Sequence, residues 1–330
     1  MNKRYIELDC AKGLAILLLI FSHCFPGEGI IKTWIFSFHM SIFFIICGIL
    51  QYNKTSQEIS YGQFLPYLKK RTKQLLIPYY FWGTILIIFY QVLKIISGMR
   101  LTVDTYLFAL LTWQGIDSLW FIPCYLIAEV MFIFIYLRLK NGTRKVTFVI
   151  LIILVFTGSI TGMSELGVLR LAMKCIIAFI FIACGYYVAK YIQSVSILMG
   201  YCCLSIGSIF SEVNGFVGIG ALRLNNPFLF FLNGFLISVA IINIFNNFKN
   251  KHKLWITWLA FWGRNSIVIL CTNNLLIEII RLIDYKLSGN WLLNTGVVGA
   301  IIMTISIILI EWGMVILCRQ NKLRILFGKD

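Results

Sequence analysis

A chain of 330 residues that is 60% apolar or aromatic and only 13% charged, with a mean hydropathy of +0.87, is far more apolar than an ordinary water-soluble domain. A spanning helix takes about 20 mostly apolar residues, so this length accommodates roughly ten and leaves no room for a soluble domain. The formal charge of +16, from 29 Lys and Arg against 13 Asp and Glu, would suggest a nucleic-acid partner in a soluble protein; here it reads as the basic bias of cytoplasmic loops beside anionic lipid, and no nucleic acid is expected.

Along the chain, Lys3 and Arg4 precede an apolar run from Leu14 to Phe21. Asp9 and Lys12 interrupt the start of that run and no small-residue cleavage site follows, so it is expected to be a retained first span and not a signal peptide. Apolar stretches then predict ten spans at about 10–26, 34–52, 75–97, 118–138, 146–162, 171–189, 195–211, 228–245, 258–280 and 294–317. The stretch from Tyr106 to Gly115 is apolar but too short to cross, which suits an interfacial or re-entrant piece. Glu212 to Asn226, rich in Gly and Asn, reads as an outer loop. With the N-terminus inside, 20 of the 29 basic residues fall in inside segments, Lys69-Lys70-Arg71-Thr72-Lys73 among them. The expectation is an all-α, multi-pass cell-membrane protein with about ten transmembrane helices in one bundle, residues 1–330 forming a single transmembrane domain with both termini cytoplasmic. The ten cysteines lie in or beside apolar runs without CxxC spacing, so they read as core or lipid-facing residues and no metal is expected.

Ionisable groups in hydrocarbon are costly and mark cavities or partners. Asp9, Lys12 and His23 are such groups in span one. Eleven residues separate Lys12 from His23, a difference of ~20° in direction and ~16 Å in height on an α-helix, and Asp9 lies within ~40° of His23. One face therefore carries a cation near one end and an imidazole deep in the span. The alternative is an interfacial Asp9–Lys12 pair, with His23 bonding a neighbouring helix. Imidazole has the acid–base range to remove a hydroxyl proton in acyl transfer. His39, in Phe38-His39-Met40-Ser41, is expected at the outer end of span two, while His252 sits between Lys251 and Lys253 as a solvated residue. Lys69 to Lys73, in the loop after span two, suits either a topology determinant or a grip for phosphates. Glu278 and Arg281 form a helical i,i+3 pair, whereas Glu129 and Glu311 have no local partner and must find one on another helix.

Leu8-Asp9, Lys12-Gly13, His23, Phe38-His39-Met40, Phe43-Phe44, Gly48, Arg71 with Leu75, Leu76, Pro78 and Tyr79, Leu119-Trp120-Phe121, and Gly263-Arg264-Asn265-Ser266 occur in an order that resembles the family-three integral-membrane acyltransferases. That group includes fucose acetylases and bacterial surface-polysaccharide O-acetyltransferases, and the resemblance covers nearly the whole chain. It implies a ten-helix bundle in which the residues at Lys12 and His23 are essential, a cytoplasmic acyl-CoA donor and an acceptor on the outer side. Three positions depart from the family pattern. Lys12 stands where Arg is commoner, which keeps the charge but loses bidentate geometry. Cys47 stands where Ser often precedes the glycine, and Asn273 aligns with a histidine, removing the group a proton-transfer role there would need.

The functional expectation is a membrane O-acyltransferase, acetyl-CoA its acyl donor and co-substrate, acting on a hydroxyl of a cell-envelope glycan or its lipid-linked precursor. His23, supported by Asp9 and His39, would carry the chemistry; Lys12, Lys70, Arg71 and Lys73 would hold CoA phosphates. Direct transfer and transfer through an acyl-enzyme both fit. The rivals are a transporter or flippase of a small polar solute or amino acid using the same polar face, which would favour repeated halves that the sequence does not display, and a non-catalytic assembly subunit.

Overall fold

The computed structural model describes residues 5–55, 61–139, 141–160, 167–192, 194–248, 254–317 and 324–328. His252, Lys3, Arg4, Lys249, Lys251, Lys253 and Cys318 lie outside them. The described chain is all-α and carries no strand, only an isolated bridge between Gly218 and Arg223. Among the described residues, eight helical stretches are long and apolar enough to cross a membrane, and the chain is a multi-pass membrane protein. The expected crossings outside that set are the first, whose helix holds Glu7, Asp9 and Lys12, and the fifth, whose helix opens on Asn141 with Arg144 and Lys145 close behind.

The residues divide into two compact units, Met1–Tyr61 with Ala128–Ser266, and Gly62–Ile127 with Ile267–Asp330. The first holds α1 (Ile6–Cys24), α2 (Ile30–Phe38), α3 (Ser41–Thr55), most of α6 (Phe121–Arg138), α7 (Asn141–Ile160), α8 (Gly167–Val188), α9 (Ile197–Asn214), α10 (Pro227–Phe248) and α11 (Leu254–Arg264). Lipid gives apolar helices little reason to associate, and small residues that let backbones meet supply much of the contact. Two glycine pairs do this. A Cβ on Gly13 would fall 2.0 Å from the Leu259 carbonyl oxygen and one on Gly263 would fall 1.8 Å from that of Asp9, so α1 and α11 touch backbone to backbone. Gly48 and Gly185 join α3 to α8 in the same way, at 1.9 Å from the Ile182 oxygen and 2.1 Å from the Ile45 oxygen. The outward face of α9 carries exposed Ile206, Ile209 and Val213, as a lipid-facing helix should.

A cavity of about 20 Å³, room for about one water, brings Leu8 of α1 beside Asn53, Ala189 and Asn246, which lie at or just past the C-terminal ends of α3, α8 and α10. Those three helices thus run opposite to α1. The other end of the unit gathers the C-terminal ends of α1 and α9 and the start of α10.

Span two is in fact two helices, broken at His39-Met40. The His39 ring bonds the Ile35 carbonyl oxygen, and the chain closes a tight turn with Phe43 N donating to Met40 O. Span nine is likewise divided, into α11 and α12 (Ser266–Ser288), because the Asn265 side chain donates to Phe261 O at 2.6 Å and its own N–H turns back to Trp262 O. The loop read at Glu212 to Asn226 begins only at Gly215, since α9 continues to Asn214.

The second unit holds α4 (Tyr61–Ile96), α5 (Val103–Leu111), a 3-10 turn at Asp117–Trp120, the start of α6, α12, α13 (Trp291–Asn294) and α14 (Val297–Leu317). α5 is the short apolar piece expected near Tyr106. Tyr79 donates to Leu110 O at 2.8 Å and fastens it to α4. Ser118 donates to Leu270 O at 2.9 Å, tying the turn to α12.

Candidate active site

Because α1 is unbroken from Ile6 to Cys24, Lys12 and His23 keep the ~20° offset and ~16 Å separation of an ideal helix. Near its first turns Lys12 Nζ meets Asp9 Oδ1 at 2.7 Å, both side chains largely buried. The local pair weighed as an alternative is therefore present. It does not remove Lys12 from phosphate binding, since an ammonium has three donors and one is engaged by Asp9.

At the other end the two described histidines of unit one converge. The Phe36 ring lies 5.9 Å from His23 and 4.8 Å from His39. His39 is buried within the protein, only 4% exposed, where α2 gives way to α3. Its Nδ1 lies 2.9 Å from Ile35 O. A carbonyl oxygen only accepts, so Nδ1 carries the hydrogen of this bond. His23 is half-buried and more accessible to a ligand.

Phe36 also meets Phe216 at 4.8 Å, and the Arg223 guanidinium covers Phe216 at 5.3 Å. Arg223 Nη1 holds Glu28 at 2.9 Å and 3.1 Å, linking the loop after α1 to the loop before α10. The latter loop is a built structure. Asn214 donates to Leu224 O and accepts from Asn226 N, Asn225 donates to Asn214 O and Phe216 O, and Leu222 and Asn225 adopt positive φ. None of these partners is neighbouring in sequence, so only the Asn and Gly content of Glu212 to Asn226 hinted at the loop.

The basic cluster belongs to unit two and lies within α4, not in a loop. Lys70 and Lys73 are exposed, while Arg71 is half-buried, 5.6 Å over the Tyr125 ring with Nη1 3.4 Å from Gln74 Oε1. At 100° per residue Arg71 points ~160° away from Lys73. The four expected phosphate ligands thus divide into Lys12 on α1, Lys70 with Lys73 on one side of α4, and Arg71 on another.

The intramembrane acids find the partners they needed. Gln51 donates to Glu129 at 2.8 Å, Thr272 bonds Glu311 at 2.5 Å, and Arg281 pairs with Glu278 at 2.9 Å. Asn273 is fully buried with neither amide atom hydrogen-bonded among the described residues. Sequence reasoning passed over Lys174, which α8 buries to 7% exposure; the signal was there, as Arg170 and Lys174 are basic residues at i,i+4 spacing in an apolar run.

A family model described as an acyltransferase domain, the third of that name, matches residues 5–313. No curated protein and no solved structure matches the chain.

Proposed function

We propose, from the premise that this chain belongs to acyltransferase family three and is a membrane acyltransferase, that it moves an acetyl group from cytoplasmic acetyl-CoA to a hydroxyl of a cell-envelope glycan or its lipid-linked precursor, outside the cell membrane. The observation that carries the chemistry is the convergence of His23 and His39 on Phe36. In an acyltransferase, two imidazoles at one end of a helix whose other end bears a cation supply a base at one level and a phosphate contact at another.

His23, the accessible member, takes the proton from the acceptor hydroxyl. The oxygen attacks the thioester carbonyl carbon, a C–O bond forms, the C–S bond breaks, and the departing CoA sulfur ends as the thiol with the proton His23 relays. Transfer through an acyl-enzyme splits the same balance into two steps. His39, buried against Phe36, acts as a positioning residue for His23. In unit one Lys12, its ammonium paired with Asp9, is the candidate contact for CoA phosphates; in unit two Lys70 and Lys73, and Arg71 from its own face of α4, are the candidates. This reading places Lys70 and both termini on the cytoplasmic side and His23 toward the outer leaflet.

The test uses the purified full chain in proteoliposomes with acetyl-CoA and a glycan acceptor, with acetylation read by mass spectrometry. His23→Ala should insert and fold normally yet lose ~10²- to 10⁴-fold in rate, the usual contribution of a general base. His252→Ala should be nearly normal. Normal turnover in folded His23→Ala removes this residue from the mechanism.

A further inference from the structure

Arg223 is half-exposed, at 48%, yet a rigid hydrogen-bonded loop fixes its position. Its backbone pairs with Gly218 in both directions, at 2.8 and 3.1 Å, and its guanidinium lies over the Phe216 ring at 5.3 Å. Phe216 rests on Phe36, and Phe36 on His39 and His23. A fixed cation is thus joined to the two imidazoles by a continuous run of ring contacts. Only Nη1 of the guanidinium is hydrogen-bonded among the described residues, to the exposed Glu28 carboxylate; Nε and Nη2 remain to receive another group. An exposed ion pair contributes little, so an incoming anion can take the place of Glu28 at small cost, and the planar fork suits the two oxygens of a carboxylate or phosphate.

The surrounding charge favours the same ligand. The helices and loops meeting at this end of the unit bring Lys32, whose ammonium lies 5.8 Å over Phe36, and Arg170 and Lys174 from the first turns of α8. Among the described residues the acids at this end are Glu28 and Glu212, so the described cations there outnumber the described acids.

We propose that Arg223 is the residue that recognises the acceptor, and that it does so by binding an anionic group on it, a sugar carboxylate or a sugar phosphate, with Glu28 standing in for that group in the unliganded protein. This rests on the acyl-transfer reading above and adds the class of acceptor: acidic sugars are preferred over neutral ones. No bond is made or broken at Arg223; it anchors the acceptor while a hydroxyl on the same molecule reaches His23.

Binding of matched ligands to the full chain in detergent, without donor, separates this from the chemistry. The ligands are a neutral methyl glycoside, the corresponding uronic acid and the sugar 1-phosphate. The two anions should bind ~10- to 100-fold more tightly than the neutral sugar, the range of a charge-assisted contact, and whichever is tighter identifies carboxylate or phosphate as the natural group. Arg223→Ala should reduce that preference to about twofold or less, and Arg223→Lys should restore part of it. Glu28→Gln breaks the same ion pair but keeps the guanidinium, so it should leave anion binding unchanged or tighten it by a few fold. Were the pair merely a latch between loops, Glu28→Gln and Arg223→Ala would fail alike, and that result overturns the proposal. Equal affinity for neutral and anionic sugars overturns it too. Selective anion binding without acyl transfer to any acceptor would sink the proposed reaction and leave the Arg223 site standing as a binding site; transfer without selectivity would do the reverse.

Discussion

Gly13→Ala adds one methyl group at the place where α1 and α11 meet. The new Cβ would fall 2.0 Å from the Leu259 carbonyl oxygen and 3.1 Å from the Gly263 nitrogen. Both neighbours are backbone, so neither can rotate aside, and the helices must part by about 1 Å before contact becomes tolerable. Overpacking of this kind costs about 1–3 kcal/mol. Against it stands the gain of up to ~1 kcal/mol from replacing Gly by Ala in a helix. Gly313 isolates that gain, since it is helical and a Cβ there meets nothing within 4 Å. Gly313→Ala should therefore be neutral or mildly stabilising, and because the helix gain is common to both variants, Gly13→Ala should be less stable than it by roughly the overpacking cost alone, about 1–3 kcal/mol. Gly263→Ala, 1.8 Å from Asp9 O, should behave like Gly13→Ala, and the double variant should cost less than the two singles combined because one interface opens only once. Unfolding of the detergent-solubilised protein followed by tryptophan fluorescence supplies the ranking. Equal stability of Gly13→Ala and Gly313→Ala, or full additivity at the interface, would refute the backbone contact.

Other outcomes follow from the same structure. Lys12→Ala should weaken acyl-CoA binding by ~10-fold or more, as expected for loss of a phosphate contact worth about 1.5–3 kcal/mol, whereas exposed Lys73→Ala should have a smaller effect that fades in high salt; titration of the donor at two ionic strengths measures both, and unchanged affinity in Lys12→Ala would leave it only its pair with Asp9. Glu129→Leu removes the hydrogen bond that buried Gln51 donates and should destabilise by about 1–3 kcal/mol, with Gln51→Leu added to it recovering part of the loss; a double variant as weak as the combined singles would argue against coupling. In a cysteine-free background a membrane-impermeant maleimide applied to intact cells should label Ala221→Cys and not Lys70→Cys, and the opposite pattern would defeat the donor assignment.

Periodicity was a sound guide where a helix runs straight. The shared face of Lys12 and His23 depends only on α1 being continuous, and it is. It failed at His39 and Asn265, because both sides of each break are apolar and hydropathy does not register a side chain that captures a carbonyl four residues back. The length of α4 was hidden for the opposite reason: Lys69 to Lys73 read as a loop because they are charged, although charge does not end a helix. Glycine spacing gave no hint of which helices the glycines join. The contacts of Phe36, Phe216 and Arg223 come from three separate segments, and no local pattern records them.

The hydrogen bond between Gln51 and Glu129 joins residues 78 positions apart, and a ribosome delivers them in that order. At about 5–20 residues per second, α3 is synthesised roughly 4–16 seconds before the carboxyl group that this bond joins it to. A hydrogen bond is worth more in hydrocarbon than in water, so the arrival of α6 adds to the hold on a helix made well before it, and the bond couples an early step of assembly to a later one.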